Sequence, residues 1–203
     1  MSSIFTRLGA MFSHVVTPKA AREENESPAY TVVLNDGEFE VRDYPAMLVA
    51  EVTCEGERGS AETDGFKKLF AFIEGKQREG GEISMTTPVF HLPHYASITE
   101  PALDRRGRTT VRFMMPSHFT RNTLPKPESD DIRIVEIAPA RMASHQFTGV
   151  ADDETVAKKT AALHAWLKGQ GLTDAGQVQF AIYDPPFTPP PARRNEILVP
   201  LVA

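Results

Sequence analysis

Two periods alternate along this chain. From Tyr30 the apolar positions follow the two-residue beat of strands: Tyr30-Thr-Val-Val-Leu34, then Phe39 and Val41, then Met47-Leu-Val-Ala-Glu-Val52. Asn35-Asp-Gly37 is a hairpin signal between the first two, and Pro45 marks a bend before the third. The beat then lengthens. Phe66, Leu69, Phe70 and Ile73 recur at i, i+3, i+4 and i+7, which predicts a helix over Ser60 to Glu74. Ser60 is its expected cap, Glu62 and Asp64 suit its positive end, and Gly75 with Gly80-Gly81 ends it. Strand character returns over Glu82 to Leu92, with Pro88 inside it or at its edge, and over Thr109 to Met115, which Pro116 stops. Pro93 to Arg108 and Phe119 to Asp131 read as loops.

The same order then recurs. Val41-Arg-Asp-Tyr-Pro-Ala46 is echoed by Val135-Glu-Ile-Ala-Pro-Ala140, with the prolines 94 positions apart (139 − 45). A strand follows each, the second over Met142 to Phe147. A helix follows each strand. The second starts at Asp152 or Asp153, buries Val156, Leu163, Trp166 and Leu167, and stops at Gly169. A single such unit cannot cover both its sheet and its helix, so two sharing a core are expected. The predicted architecture is α+β, with residues 30–203 as one domain. It is a strongly curved sheet of about eight or nine mainly antiparallel strands with two flanking helices and an internal pseudo-twofold duplication.

One stretch resists this pattern. Between the strand-like runs Val178 to Tyr183 and Glu196 to Val202 lies Asp184-Pro-Pro-Phe-Thr-Pro-Pro-Pro-Ala-Arg-Arg-Asn195. Proline removes backbone donors, so this stiff loop covers a sheet end or rims a pocket. Phe187 is its one large apolar side chain.

Composition narrows the function. A formal net charge of −5 disfavours a nucleic-acid surface. No apolar run approaches the ~20 residues of a membrane span. Cys54 is the only cysteine, so no intrachain disulfide forms, as suits a cytoplasmic protein. Residues 1–29 read as an N-terminal arm, flexible or a short amphipathic helix, in which Ile4, Phe5, Leu8 and Phe12 would allow weak membrane-surface contact. His91 and His94 lack a third ligand, so no metal site is expected. Cys54 reads as a small apolar filler and Met85 as core rather than as a ligand to a soft iron centre. Arg193-Arg-Asn-Glu196 either holds an anion or pins the proline loop through ion pairs to Glu196 or Asp184. No catalytic motif or acid/base pair is evident, which leaves enzymatic activity undecided and leaning against.

Four segments in order resemble the SOUL heme-binding protein family: Ile83-Ser-Met-Thr-Thr-Pro-Val89, Phe113-Met-Met-Pro116, Tyr183-Asp-Pro-Pro186 and Arg193-Arg-Asn-Glu196. The resemblance implies a distorted β-barrel of two β-α-β repeats. It also implies that heme or a related tetrapyrrole lies against Phe66, Leu69, Phe70 and Ile73, with Phe187 on the loop. Where some members carry a histidine proposed as iron ligand, this chain has Asp43. Where others hold the propionates with basic side chains, it has Thr63, Ala71 and Thr188, leaving Lys67, Lys68 and Arg193 as stand-ins. The function so implied is a heme or tetrapyrrole carrier, buffer or sensor without an evident axial ligand. The alternative is an effector-binding or protein-interaction module on the same scaffold, without heme, expected to show a groove with a buried carboxylate.

Overall fold

The computed structural model describes residues 24–75, 79–93 and 106–202. The expected arm lies outside them up to residue 23, as does most of the loop read between Pro93 and Arg108.

Nine strands and two helices follow in the order β1 (Thr31–Asp36), β2 (Phe39–Tyr44), β3 (Met47–Glu57), α1 (Arg58–Ile73), β4 (Val89–Pro93), β5 (Arg106–Met114), β6 (Arg133–Ile137), β7 (Ala140–Thr148), α2 (Asp153–Gln170), β8 (Gln179–Ile182) and β9 (Arg194–Pro200). All the strands join one sheet in the order β1-β2-β7-β9-β8-β4-β5-β3-β6, with every strand pair antiparallel. Apart from β1, this order reads the same backwards when β2, β3, β4 and β5 are exchanged for β6, β7, β8 and β9. The expected barrel does not close. Among the described residues no pairing joins β1 to β6, so they remain the sheet's two edges.

Each helix covers one half of one face. Beneath α1 lie Ala50 and Val52 of β3, Val111 and Phe113 of β5, and the helix's own Leu69, Phe70, Phe72 and Ile73. Beneath α2, Ala143 and Phe147 of β7 and Ile197 and Val199 of β9 meet Leu163 and Leu167. On the other face of the sheet Tyr44, Phe90, Leu92, Met142, Tyr183 and Leu198 form a third cluster. Through that face runs an ion cluster built around the fully buried Glu196. The Arg42 guanidinium donates to both Glu196 oxygens at 2.7 and 3.1 Å, Arg194 Nη2 donates to Oε1 at 2.6 Å, and the Tyr183 hydroxyl donates to Oε2 at 2.9 Å.

Three boundaries differ from expectation. Strand β3 runs straight into α1, so the cap is Glu57, with no side-chain bond, and Ser60 is already helical. α2 has the side-chain cap that α1 lacks, since Asp152 accepts from the Thr155 amide at 2.8 Å. Both helices close on a left-handed glycine at φ 69°, Gly75 after α1 and Gly171 after α2, and Gly169, the expected stop of α2, lies inside the helix. The strand expected over Glu82 to Leu92 shrinks to Val89–Pro93. Its first part is held by other means: the Thr86 hydroxyl donates to the Met114 carbonyl at 2.7 Å and the Thr87 amide to the Glu26 carbonyl at 2.9 Å. Pro88 has no donor for a ladder there.

Candidate functional site

Helix α1 lies unusually close to its strands. A Cβ on Gly65 would stand 2.5 Å from Val111 Cγ2, a distance no side chain tolerates, so only glycine lets the helix settle here. The next residue, Phe66, sits at the margin of that contact. It stacks on Phe70 at 5.7 Å between ring centroids and meets Phe113 edge-on at 5.4 Å.

The outer side of Phe66 faces a cleft of about 270 Å³ between α1, the segment entering β4, the end of β8 and the start of the proline loop. Phe66, Met85, Val89 and Ile182 make the apolar wall, and Pro185 and Pro186 stiffen the rim. Asn25, Glu62, Thr63, His91, Tyr183 and Asp184 supply the polar edges, with no lysine or arginine among the described lining residues. A second hollow, about 450 Å³, lies beside Met47, Leu48, Met114 and Met115 but is ringed by Glu26, Ser117, Thr120, Arg121 and Glu136. The first is the better place for a flat apolar body.

The electrostatics of the cleft are local and strong. Arg58 Nε donates to Glu62 Oε1 at 2.8 Å, Nη1 pairs with Asp153 at the start of α2, and Nη2 donates to the Ala151 carbonyl at 3.3 Å. Burial pushes the Glu62 carboxyl up, against the pull of Arg58. His91 is 4% exposed, and its Nδ1 makes no hydrogen bond; Glu62 Oε1 is 3.9 Å away. Burial first, and Arg58 second, push its pKa down to about 3, so the imidazole is neutral at physiological pH.

The residues singled out by sequence separate in space. Phe66 lines the cleft. Leu69, Phe70 and Ile73 are sealed beneath the helix at 0, 2 and 3% exposure, backing the wall without forming its surface. Phe187 is 52% exposed and does not line the hollow. Arg193 gives Nε to the Thr188 carbonyl at 2.7 Å and Nη2 to the Pro186 carbonyl at 2.6 Å. It therefore pins the loop through its backbone rather than through an ion pair. Its neighbour Arg194 takes Glu196, and the Arg194 amide donates to Asp184 at 2.6 Å. Lys67 and Lys68 pair with Asp64 and Asp131 at 3.5 and 2.7 Å, away from the lining. Arg141 Nε and Nη2 donate to the two oxygens of Asp43 at 2.7 and 2.8 Å, which keeps its carboxyl below the usual range. Cys54 is buried in the core under α1, where burial raises its thiol. His94 lies outside the described residues. Among the described residues no group of three or more His, Cys, Asp or Glu side chains is placed to hold a metal ion, and no helix is long and apolar enough to cross a membrane.

Sequence reasoning missed Glu62 and His91 as neighbours. The available signal was their phase. Glu62 lies one helical turn before Phe66, and His91 lies two residues after Val89 on the same side of β4.

A nine-stranded antiparallel sheet with two helices makes this an α+β protein, with an apolar cleft beside the first helix. The chain belongs to the SOUL heme-binding protein family, whose model matches residues 25–200. It is 27% identical over 135 residues to heme-binding protein 1 of Mus musculus, covering 66% of this chain and 68% of that protein. Against heme-binding protein 1 of Sus scrofa the identity is 29% over the same shares. Against heme-binding protein 2 of Mus musculus it is 26%, over 74% and 72% of the two chains. Among solved structures, the EcmrR C-terminal domain matches with TM-score 0.57 at 13% identity, over 85% of this chain and 98% of that one. An uncharacterized conserved protein from Listeria innocua matches with TM-score 0.61 at 13% identity, over 81% and 92%. These two likenesses concern the fold alone.

Proposed function

We propose that this protein binds heme or a related tetrapyrrole in the cleft between α1, β4, β8 and the proline loop. The observation that carries the reading is the wall itself. Phe66, Met85, Val89 and Ile182 present an apolar surface that is open on one side, in a chain whose family and relatives are named for heme binding. A planar macrocycle suits such a wall, because aromatic and thioether groups contact its face without unmet polar demands. Phe66 is the contact surface, and Leu69, Phe70 and Ile73 hold it from behind. Phe187 covers the outer edge of the ligand, and Arg193 keeps the loop in the shape that allows this.

The role that fits is a carrier, buffer or sensor in the cytoplasm, the compartment in which a free Cys54 is usual. The mirrored strand order supports descent of the two halves from one duplicated unit, curled toward a barrel. One observation favours the alternative, an effector module without heme: Glu62 places a largely buried carboxylate in the cleft, as an organic cation would require.

Absorbance titration with ferric protoporphyrin IX tests the proposal. A Soret shift is expected with the native chain, and about tenfold or greater loss of affinity, ~1.4 kcal/mol, with Phe66→Asp. No shift beside a positive control would overturn heme binding. Unchanged affinity in a folded Phe66→Asp protein would move the site elsewhere.

A further inference from the structure

The two edges of the sheet are guarded differently. β6 is five residues long and carries Arg133 and Glu136, and its Ile134, Val135 and Ile137 are half-buried. β1 is six residues long and exposed throughout. Its one charge is Asp36 at the far end, which accepts from Trp166 Nε1 at 2.7 Å. Four of the seven exposed large hydrophobic residues among those described, Tyr30, Val32, Val33 and Leu34, lie in or beside this strand. Apolar exposure is thus concentrated where, among the described residues, β2 is the only strand paired with β1. Alternate backbone N–H and C=O groups of an edge strand point away from its neighbour and can accept another strand. We propose that β1 is an interface through which two copies of this protein pair edge to edge, antiparallel, about a twofold axis.

The register of β1 selects a second copy as the partner. Val32 lies opposite Arg42 and Leu34 opposite Val41, so Val33 is a bulge with no opposite residue in β2. Directly opposed residues of paired strands share a side of the sheet. Thr31, Leu34 and Asp36, opposite Asp43, Val41 and Phe39, therefore lie on the α2 side. Val32 and Asn35, opposite Arg42 and Glu40, lie on the side of the ion cluster. The alternation breaks at Val33, so a regular strand matches only one half of β1. A second β1 matches both. A twofold axis between Val33 and Leu34 pairs all six residues and sets Thr31 against Asp36, and Val32 against Asn35, of the second copy, side for side. A shift of one residue opposes the wrong sides. Val33 and Leu34 then meet at the centre, and the two Asp36 carboxylates stand at opposite ends of the ladder, so no like charges face each other. The contact closes on itself, whereas β1 against β6 of another copy would grow into open chains. It is small beside the ~1,600 Å² of a standard interface, so a dimer that dissociates on dilution is expected.

Sedimentation velocity of the native chain over rising protein concentration tests this, with hydrogen exchange read at the β1 amides. The mass is expected to move from monomer to dimer and no further, with β1 exchange slowing as the dimer fills. Val33→Lys is expected to weaken the dimer about tenfold or more. Val150→Lys, at a residue as exposed as Val33 but off the edge strand, is expected to leave it unchanged. A chain that stays monomeric, a dimer whose β1 exchange does not change, or association that continues past two copies overturns the proposal. So does a dimer equally strong in a folded Val33→Lys chain, or one weakened as much by Val150→Lys. Should Val33→Lys not fold, the exchange of the native β1 amides decides alone.

Discussion

Two buried histidines sit on the helix-facing side of the same sheet, one in each half, and their surroundings are opposite. His145 on β7 is 2% exposed. Its Nδ1 donates to the Lys159 carbonyl at 3.0 Å, and its Nε2 lies 3.3 Å from Glu38 and 3.4 Å from the Lys159 ammonium. Phe39 packs on its ring at 4.3 Å, and Trp166 stacks on Phe39 at 5.1 Å while donating to Asp36 at 2.7 Å. His91 on β4 is equally buried but looks into a hollow with Nδ1 unmet. Under α2 the histidine has partners at both ring nitrogens, although the buried hydroxyls of Thr160 and Ser144 in that half have none. Under α1 it is the histidine's own Nδ1 that is unmet, beside an aromatic wall. Strand order alone would make the halves equivalent; the side chains that fill one and not the other decide which can hold a ligand.

The largest expected effect lies behind the α2 half, on the face of the sheet away from the helices. Glu196→Ala removes the carboxylate shared by Arg42 and Arg194, leaving the buried Arg42 with only Glu40 and the Tyr44 hydroxyl as polar partners, and a loss of about 3 kcal/mol is expected by denaturant unfolding. Burial alone would raise the Glu196 carboxyl, but Arg42 and Arg194 outweigh it and hold it below its unfolded value of 4.5. Between those two values the unfolded chain binds more protons, so Glu196's contribution is present above pH 4.5 and is lost as pH falls below it. A Glu196→Gln chain is expected to lose less stability over that acid range than the native one. The two helices differ next. Gly65→Ala drives a methyl into Val111, and after the gain in helix propensity a net loss of about 1–2 kcal/mol is expected. Gly169→Ala, with open space around it in α2, is expected to stabilise by about 0.5–1 kcal/mol. The histidines themselves come between these. His145→Gln is expected to cost about 1–2 kcal/mol in the ligand-free protein, through lost hydrogen bonds. His91→Gln is expected to cost under about 0.5 kcal/mol, since its Nδ1 has no bond to lose. Equal costs would erase the distinction between the halves.

Much of this fold was legible because strands and helices announce themselves by period. Phe66, Leu69, Phe70 and Ile73 reveal α1, but periodicity cannot say which of the four sits at the margin of the core. That depends on how closely the helix approaches, which Gly65 and Val111 decide across 46 residues of chain (111 − 65). The proline spacing suggested a repeat but not the phase of its strands. Ala50, Val52 and Cys54 face α1 while Ala143 and Phe147 face α2, so equivalent faces differ by an odd number of residues and not by 94. One residue inverts every side chain of a strand. His91 was hidden because Pro93 and His94 made it read as a loop histidine, whereas β4 extends to Pro93. Closure of the barrel was not legible at all, because it depends on whether the distant edges β1 and β6 meet.

The central claim is that the half under α1, not the half under α2, holds the tetrapyrrole. Titrating ¹⁵N-labelled protein with paramagnetic ferric protoporphyrin IX, with a diamagnetic zinc porphyrin as reference, tests it without altering a residue. Selective broadening of the Thr63, Phe66, Val89, Ile182 and Asp184 amides, with Val156 and Trp166 left sharp, is the predicted result. Broadening centred on Val156 and Trp166, or none at saturating ligand, would contradict it.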